Sequence, residues 1–253
     1  MKMLSGKDSF VEEILTAIPK VVNAADSNIA KVAELFVQTL KNNGVIHAFG
    51  TGHSRGGALE IAGRAGGLIP TNKIDLLDLV WKGNHPLDVL GDPLNERKAE
   101  YGRELYELSK IDKSDLVVIL SNSGINGAVV EFAILAKEFG VPVIAFGSTK
   151  HTAIHPSRHE SGKKLSEICD VYIDNGAPAG DALLETKSGI KVCGISSITT
   201  AVIIQCIVAE TVKRLEDEGL DIPVYVSSNI SGGHERNLTF EAAYAGRIRR
   251  LGL

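Results

Sequence analysis

The chain has 253 residues, 44% of them hydrophobic and 23% charged, which is enough to bury an extensive core and too apolar for a disordered segment. Its 27 basic and 31 acidic residues give a formal charge of −4, and the basic residues are scattered except for Arg247, Arg249 and Arg250, which argues against a nucleic-acid partner. Cys169, Cys193 and Cys206 lie in apolar stretches without a CxxC spacing or a neighbouring histidine pair, so buried reduced thiols are expected rather than a metal site or a disulfide framework.

Lys2, Lys7, Asp8, Glu12 and Glu13 leave no apolar core for a signal peptide, and a cytoplasmic location is expected. Over residues 8–43, Ile14, Ile18, Val21 and Val22, then Ile29, Val32, Leu35, Phe36 and Leu40, follow helical spacing and predict two helices ending at Asn42-Asn43-Gly44. A buried strand over 45–49 follows, then a helix through Arg64 stopped by Gly66-Gly67. The stretch 75–93, rich in Gly, Pro and Asp, reads as irregular and near the surface. Residues 95–109 predict a charged amphipathic helix, 116–120 a buried strand, 127–139 a helix, and 143–146 and 171–173 two further strands.

The uncharged run 192–209 approaches membrane-spanning length. Ser196, Ser197, Thr199, Thr200 and Gln205 interrupt it, so it predicts part of a buried helix over about 194–218 and no membrane contact. A polar connection at 227–237 leads to a last helix over about 238–251. Strand and helix alternate, which predicts an α/β fold: a three-layer α-β-α sandwich with a mostly parallel sheet of about five strands, flavodoxin- or Rossmann-like. One domain is expected over 1–253, with a core at 30–220, N-terminal helices at 8–43 and a C-terminal extension at 221–253.

Two strand-to-helix loops carry the chemistry. Gly50-Thr51-Gly52-His53-Ser54 follows the first strand, and Ser121-Asn122-Ser123-Gly124 follows the strand over 116–120. Glycine or hydroxyl residues at the carboxyl end of a buried strand leave the first amides of the next helix free to meet an anion, which the helix dipole favours. A dinucleotide fingerprint would need a third glycine where Arg55 stands, and a phosphate-loop NTPase would need a Gly-Lys-Ser/Thr that neither loop has. Ser54 and Ser123 also suit helix capping. His151, His155 and His159, interleaved with Pro156 and Arg158, read as a lid or surface loop rather than metal ligands.

The two loops, their spacing, the strand at 115–120 and the Val-Pro-Val-Ile-Ala-Phe-Gly-Ser-Thr run at 141–149 resemble the sugar isomerase (SIS) domain over roughly residues 30–220. On that resemblance Gly50, Gly52, His53 and Ser54 line a sugar-phosphate site, Ser121, Asn122, Ser123 and Gly124 hold the phosphate, and Ser148 or Thr149 closes the pocket. Phosphate-binding members carry a further Ser or Thr where this chain has Asn126, whose amide can also donate.

Aldose–ketose isomerisation needs groups that move protons between adjacent carbons and at the oxygens. Glu60, on the helix after the first loop, and His234, in Ser231-Gly232-Gly233-His234-Glu235-Arg236-Asn237, are the candidates. In phosphoheptose isomerases and N-acetylmuramic acid 6-phosphate etherases the corresponding glutamate falls about a turn later, where this chain has Arg64. The resemblance implies a phosphorylated sugar or amino sugar as ligand, no cofactor and no metal. It also implies a homodimer or homotetramer whose sites lie near subunit interfaces, so that His234 could come from a partner. An amino-sugar phosphate lyase and a non-catalytic phosphosugar sensor are the alternatives to an isomerase.

Overall fold

The structure, a computed structural model, describes residues 2–249. A short strand β1 (Lys2–Met3) precedes α1 (Lys7–Lys41), one helix where two were expected. The apolar gap at Asn23–Asn28 does not break it, because Ala25 is buried there and Asn28 Nδ2 donates to the carbonyl of Tyr172 at 3.0 Å. Pro19 removes one backbone donor, but the carbonyl four residues earlier belongs to exposed Leu15, where water can satisfy it. At about 1.5 Å per residue, α1 runs roughly 52 Å, and only its second half lies in the main core.

The strands that follow are β2 (Ile46–Gly50), β3 (Thr71–Ile74), β4 (Leu116–Leu120), β5 (Val143–Gly147) and β6 (Val171–Asp174). They form one parallel sheet in the order β3-β2-β4-β5-β6. β2, β4 and β5 are buried throughout, which explains why all their residues but His47 of β2 are apolar or glycine: a parallel sheet covered on both faces offers no polar side. Ile46, Ala48, Leu116, Val118 and Leu120 face α1 and the long helix α7 (Ser196–Asp217). Phe49, Val117, Ile119 and Ala145 face α4 (Ala99–Ser109) and α5 (Gly127–Phe139). Phe49 and Phe132 meet there with ring centroids 4.7 Å apart, a pairing worth about 0.5–1.5 kcal/mol beyond the area it buries.

Several boundaries differ from the sequence expectation. α2 (Arg55–Ile61) ends three residues before Arg64. The stretch expected to be irregular follows the edge strand β3 and contains α3 (Leu77–Trp81), and it is not all at the surface, since Asp78 and Leu79 are buried. The uncharged run at 192–209 divides: β7 (Ala182–Glu185) and β8 (Lys191–Gly194) form an antiparallel hairpin, β1 adds to β7 in parallel, and α7 starts only at Ser196. Asp181 closes that junction, accepting from Ser196 N at 2.8 Å and from Ser196 Oγ at 2.8 Å. The last helix, α8 (Gly233–Ala242), starts and stops earlier than expected; Arg250 and the expected end at Leu251 lie outside the described residues. Asn237 fixes α8 by accepting from Val226 N and donating to Val226 O. The three cysteines are free and half-buried rather than fully buried. Among the described residues no helix is long and apolar enough to cross a membrane.

Candidate functional site

β2 and β4 are neighbours in register, with Gly50 opposite Leu120, so the loops that follow them emerge side by side at the carboxyl edge of the sheet. Each loop depends on glycine where the chain is tight. A Cβ on Gly50 would lie 2.7 Å from the Ser54 carbonyl oxygen, and Gly124 takes a φ of +63°, which side-chain-bearing residues rarely adopt. Ser121 Oγ accepts from Gly124 N at 3.1 Å, so this hydroxyl shapes the turn.

A narrow cleft opens between the loops. The first loop contributes His53 and Ser54, the second Ser121 and Asn122, and Gly57 of α2 forms part of the floor. Four further lining residues escaped the sequence reading: Ser196, Ser197 and Thr200 from the start of α7, and Asn175 just after β6. Asn175 Nδ2 donates to Asn122 Oδ1 at 3.1 Å and orients that side chain. The amino end of α7, capped by Asp181, thus brings three hydroxyls to the same space as the two loops. The Ser196-Ser197 pair at the head of a predicted helix was the available signal.

A carboxylate clasps the loops from the side. Glu96, in the turn before α4, accepts from Thr51 Oγ1 at 2.9 Å and from Asn126 Nδ2 at 2.7 Å. The oxygen of Asn126 in turn accepts from Arg158 Nη1 at 2.6 Å, so both ends of this amide are engaged. Arg158 is exposed, and its own N–H bonds the Ile125 carbonyl at 2.9 Å. Glu96 and Arg158 were absent from the predicted site, since nothing in the spacing of either points to the loops.

The other predicted residues lie elsewhere or are engaged. Ser123 and Gly124 belong to the second loop but do not line the cleft, and the Ser123 carbonyl accepts from Thr152 Oγ1. Ser148 is fully buried, donates to Ala177 O and caps α6 (Thr149–Ala153) by accepting from His151 N. Thr149 Oγ1 donates to Asp174. Glu60 accepts from Arg64 and, at 2.6 Å, from Gln205 Nε2; it lines the next hollow along the α2–α7 groove, one turn beyond Gly57. His234 is exposed on α8 and outside the cleft.

The expected surface loop of histidines is only partly so. His159 is buried between Glu131, 2.9 Å from Nε2, and Ser161. His151 Nδ1 accepts from Gly180 N, and its pKa is lowered by burial and by the neighbouring His155.

Residues 9–148 match the SIS domain, and the chain belongs to that family. It is 35% identical to the UPF0309 protein TTE0306 of Caldanaerobacter subterraneus subsp. tengcongensis over 96% of this chain and 99% of the relative. It is 37% identical to the UPF0309 protein lin2794 of Listeria innocua over 88% of each. Its fold is similar to that of phosphoheptose isomerase from Francisella tularensis, with a TM-score of 0.52 at 18% identity, covering 81% of this chain and 95% of the other. The phosphoheptose isomerase GmhA of Neisseria gonorrhoeae gives a TM-score of 0.52 at 18% identity over 80% and 94%.

Proposed function

We propose that the protein binds a phosphorylated sugar or amino sugar in this cleft and interconverts its aldose and ketose forms by proton transfer. The observation that supports the reading is the convergence of the loops after β2 and β4 and the hydroxyls at the start of α7 on one cleft. Ser121 and Asn122 of the second loop take the phosphate; Ser54, Asn175, Ser196, Ser197 and Thr200 supply hydrogen bonds to sugar hydroxyls.

Isomerisation removes a proton from the carbon beside the carbonyl, delivers one to the former carbonyl carbon, and shifts one between the two oxygens. His53 is the titratable side chain lining the cleft and the group in place to shuttle the proton. Glu60 is the second candidate, reached along the α2–α7 groove, and His234 would reach a cleft only from another copy of the chain in a homodimer or homotetramer. Location in the cytoplasm and action without an added cofactor are parts of the same reading.

Thermal shift against aldose, ketose and N-acetylamino-sugar phosphates, each beside its unphosphorylated parent, tests the ligand class, since a ligand that binds only the native state raises the melting temperature. Turnover of the stabilising sugar by wild type and His53→Asn tests the chemistry. An isomerase loses about 10²- to 10⁴-fold in kcat while its affinity stays within a few-fold. Unchanged turnover removes His53 from the mechanism, and binding without turnover in the wild type assigns the chain to the sensors.

A further inference from the structure

We infer that His159 is a positioning residue for the phosphate end of the cleft: through Glu131 it anchors the arm that holds the second loop in shape and brings Arg158 to it. The inference rests on the phosphate reading of that loop. The arm, residues 152–165, runs on from α6 and wraps the loop from outside. Three consecutive loop carbonyls accept from it: Ser123 from Thr152 Oγ1 at 2.8 Å, Gly124 from Leu165 N at 2.9 Å, and Ile125 from Arg158 N at 2.9 Å. Arg158 Nη1 adds the bond to Asn126 Oδ1 at 2.6 Å. Gly124 is therefore gripped on both sides, since its own N–H meets Ser121 Oγ, and Ser121 lines the cleft.

Burial isolates what holds the arm itself. Of residues 153–164, His159 alone is buried, and the large apolar side chain of Ile154 is 57% exposed. No apolar contact therefore ties this stretch to the body of the protein. The His159 side chain is 4% exposed and meets Glu131, itself 8% exposed, with Nε2 2.9 Å from Oε2. Glu131 belongs to α5, the helix into which the second loop runs. The arm is thus pinned to the same helix whose amino end it encloses.

The hydrogen bonds fix the tautomer of the ring. Ser161 N donates to Nδ1 at 3.2 Å and Ser161 Oγ lies 2.8 Å from the same nitrogen, so Nδ1 accepts and Nε2 carries the hydrogen given to Glu131. The second oxygen of Glu131 accepts from Arg103 of α4. Both ring nitrogens and both carboxylate oxygens are engaged, and a charge-assisted bond shielded from water is stronger than one at the surface. Ser157 Oγ accepts from His159 N at 3.1 Å and donates to Lys163 O at 2.7 Å, which closes the turn around the ring. Arg158, the chain neighbour of His159, is exposed, so the anchor beside it sets where its guanidinium stands.

The test uses the full chain as wild type, His159→Asn, His159→Gln, Arg158→Ala and Arg158→Ala/His159→Asn. The asparagine amide reaches Ser161 but falls short of Glu131, whereas the glutamine amide can donate to Glu131 in place of Nε2. Arg103 stays on Glu131 in every variant, so none strands a charge; melting curves check folding, and His159→Ala replaces His159→Asn if the latter does not fold. Hydrogen exchange over residues 154–168, read by mass spectrometry without ligand, should quicken about tenfold or more in His159→Asn and stay near wild type in His159→Gln. Calorimetric titration of inorganic phosphate, glucose 6-phosphate and N-acetylglucosamine 6-phosphate should show His159→Asn weakened about tenfold, as for Arg158→Ala, with His159→Gln restoring most of the loss. Because His159 acts through Arg158, the double variant should lose no more than Arg158→Ala alone.

The proposal fails if the losses multiply to about a hundredfold in the double variant, the mark of independent sites, or if His159→Asn binds as wild type does. Wild-type exchange over 154–168 in His159→Asn overturns the anchor whatever binds. Quickened exchange in that variant, with no binding of any of the three probes by wild type, overturns the phosphate reading instead and leaves the anchor standing.

Discussion

Replacing Glu96 by alanine removes the clasp between the two loops, and the structure sets the size of the effect. The carboxylate accepts two hydrogen bonds, from Thr51 Oγ1 and Asn126 Nδ2. Hydrogen bonds to a charged group contribute about 1.5–3 kcal/mol each, and the half-exposed position of Glu96 places these at the lower end. Thr51 and Asn126 are 6% and 5% exposed, so little water replaces the lost acceptor. A destabilisation of about 2–4 kcal/mol follows, which for a chain of this length lowers the melting temperature by roughly 4–16 °C. Glu96→Gln is the control: its amide oxygen still accepts from Asn126 and its amide nitrogen donates to Thr51, whose hydroxyl turns to accept, so the loss should stay under about 1 kcal/mol. Urea unfolding with an unchanged m value, beside thermal melts, measures both. An alanine variant within about 0.5 kcal/mol of wild type would refute the clasp.

Three further outcomes follow from the geometry. Gly102→Ala places a Cβ 2.2 Å from the Ala128 carbonyl oxygen across the α4–α5 contact, and the backbone must move. The overpacking, about 1–3 kcal/mol, outweighs the 0.5–1 kcal/mol or so that alanine adds to a helix, so the urea midpoint should fall. For Asp115, burial alone would raise the pKa and is the largest influence, but the bonds from His47, Asp112 N and Val45 N together outweigh it and hold the carboxyl below its ordinary value. Its stabilisation is therefore present above the unfolded-state value near pH 4 and is lost as pH falls through the lower folded-state value. Asp115→Asn should cost about 3–5 kcal/mol at neutral pH and flatten the acid limb of stability against pH; parallel limbs for variant and wild type would contradict this. Arg158→Ala removes an exposed cation at the second loop and should weaken binding of the cognate sugar phosphate about tenfold, leaving its unphosphorylated parent unaffected, as titration calorimetry can read.

What could be seen in the sequence were the parts whose physics is local. Strands buried on both faces are continuous apolar runs, so β2, β4 and β5 stood out, and the glycines and serines after β2 and β4 marked the ligand edge of the sheet. β3, β7 and β8 did not stand out, and the polar Thr71-Asn72-Lys73 of an edge strand looks like a loop until the C-terminal segment is seen to cover it. The gap in apolar spacing over residues 23–28 suggested a break that tertiary packing of α1 on β6 overrides. Within the site, the loops were legible and their partners were not. Glu96 lies 45 residues from Thr51 and 30 from Asn126, and Arg158 lies 32 from Asn126, distances at which one sequence carries no pairing signal.

Those partners bear on Asn126, where the resemblance leads one to expect a serine or threonine. A serine or threonine at 126 would offer a hydroxyl to the phosphate. Asn126 instead spends its amide hydrogens on Glu96 and its oxygen on Arg158. The substitution therefore exchanges a neutral donor for a guanidinium brought from a later loop, and ties that loop to Thr51 through a single carboxylate. Arg158 brings a fixed positive charge beside the second loop and Glu96 a negative one, and the geometry of both loops comes to depend on Glu96. Loss of Glu96 should then be felt at both loops at once, whereas loss of Arg158 should be felt at the second alone.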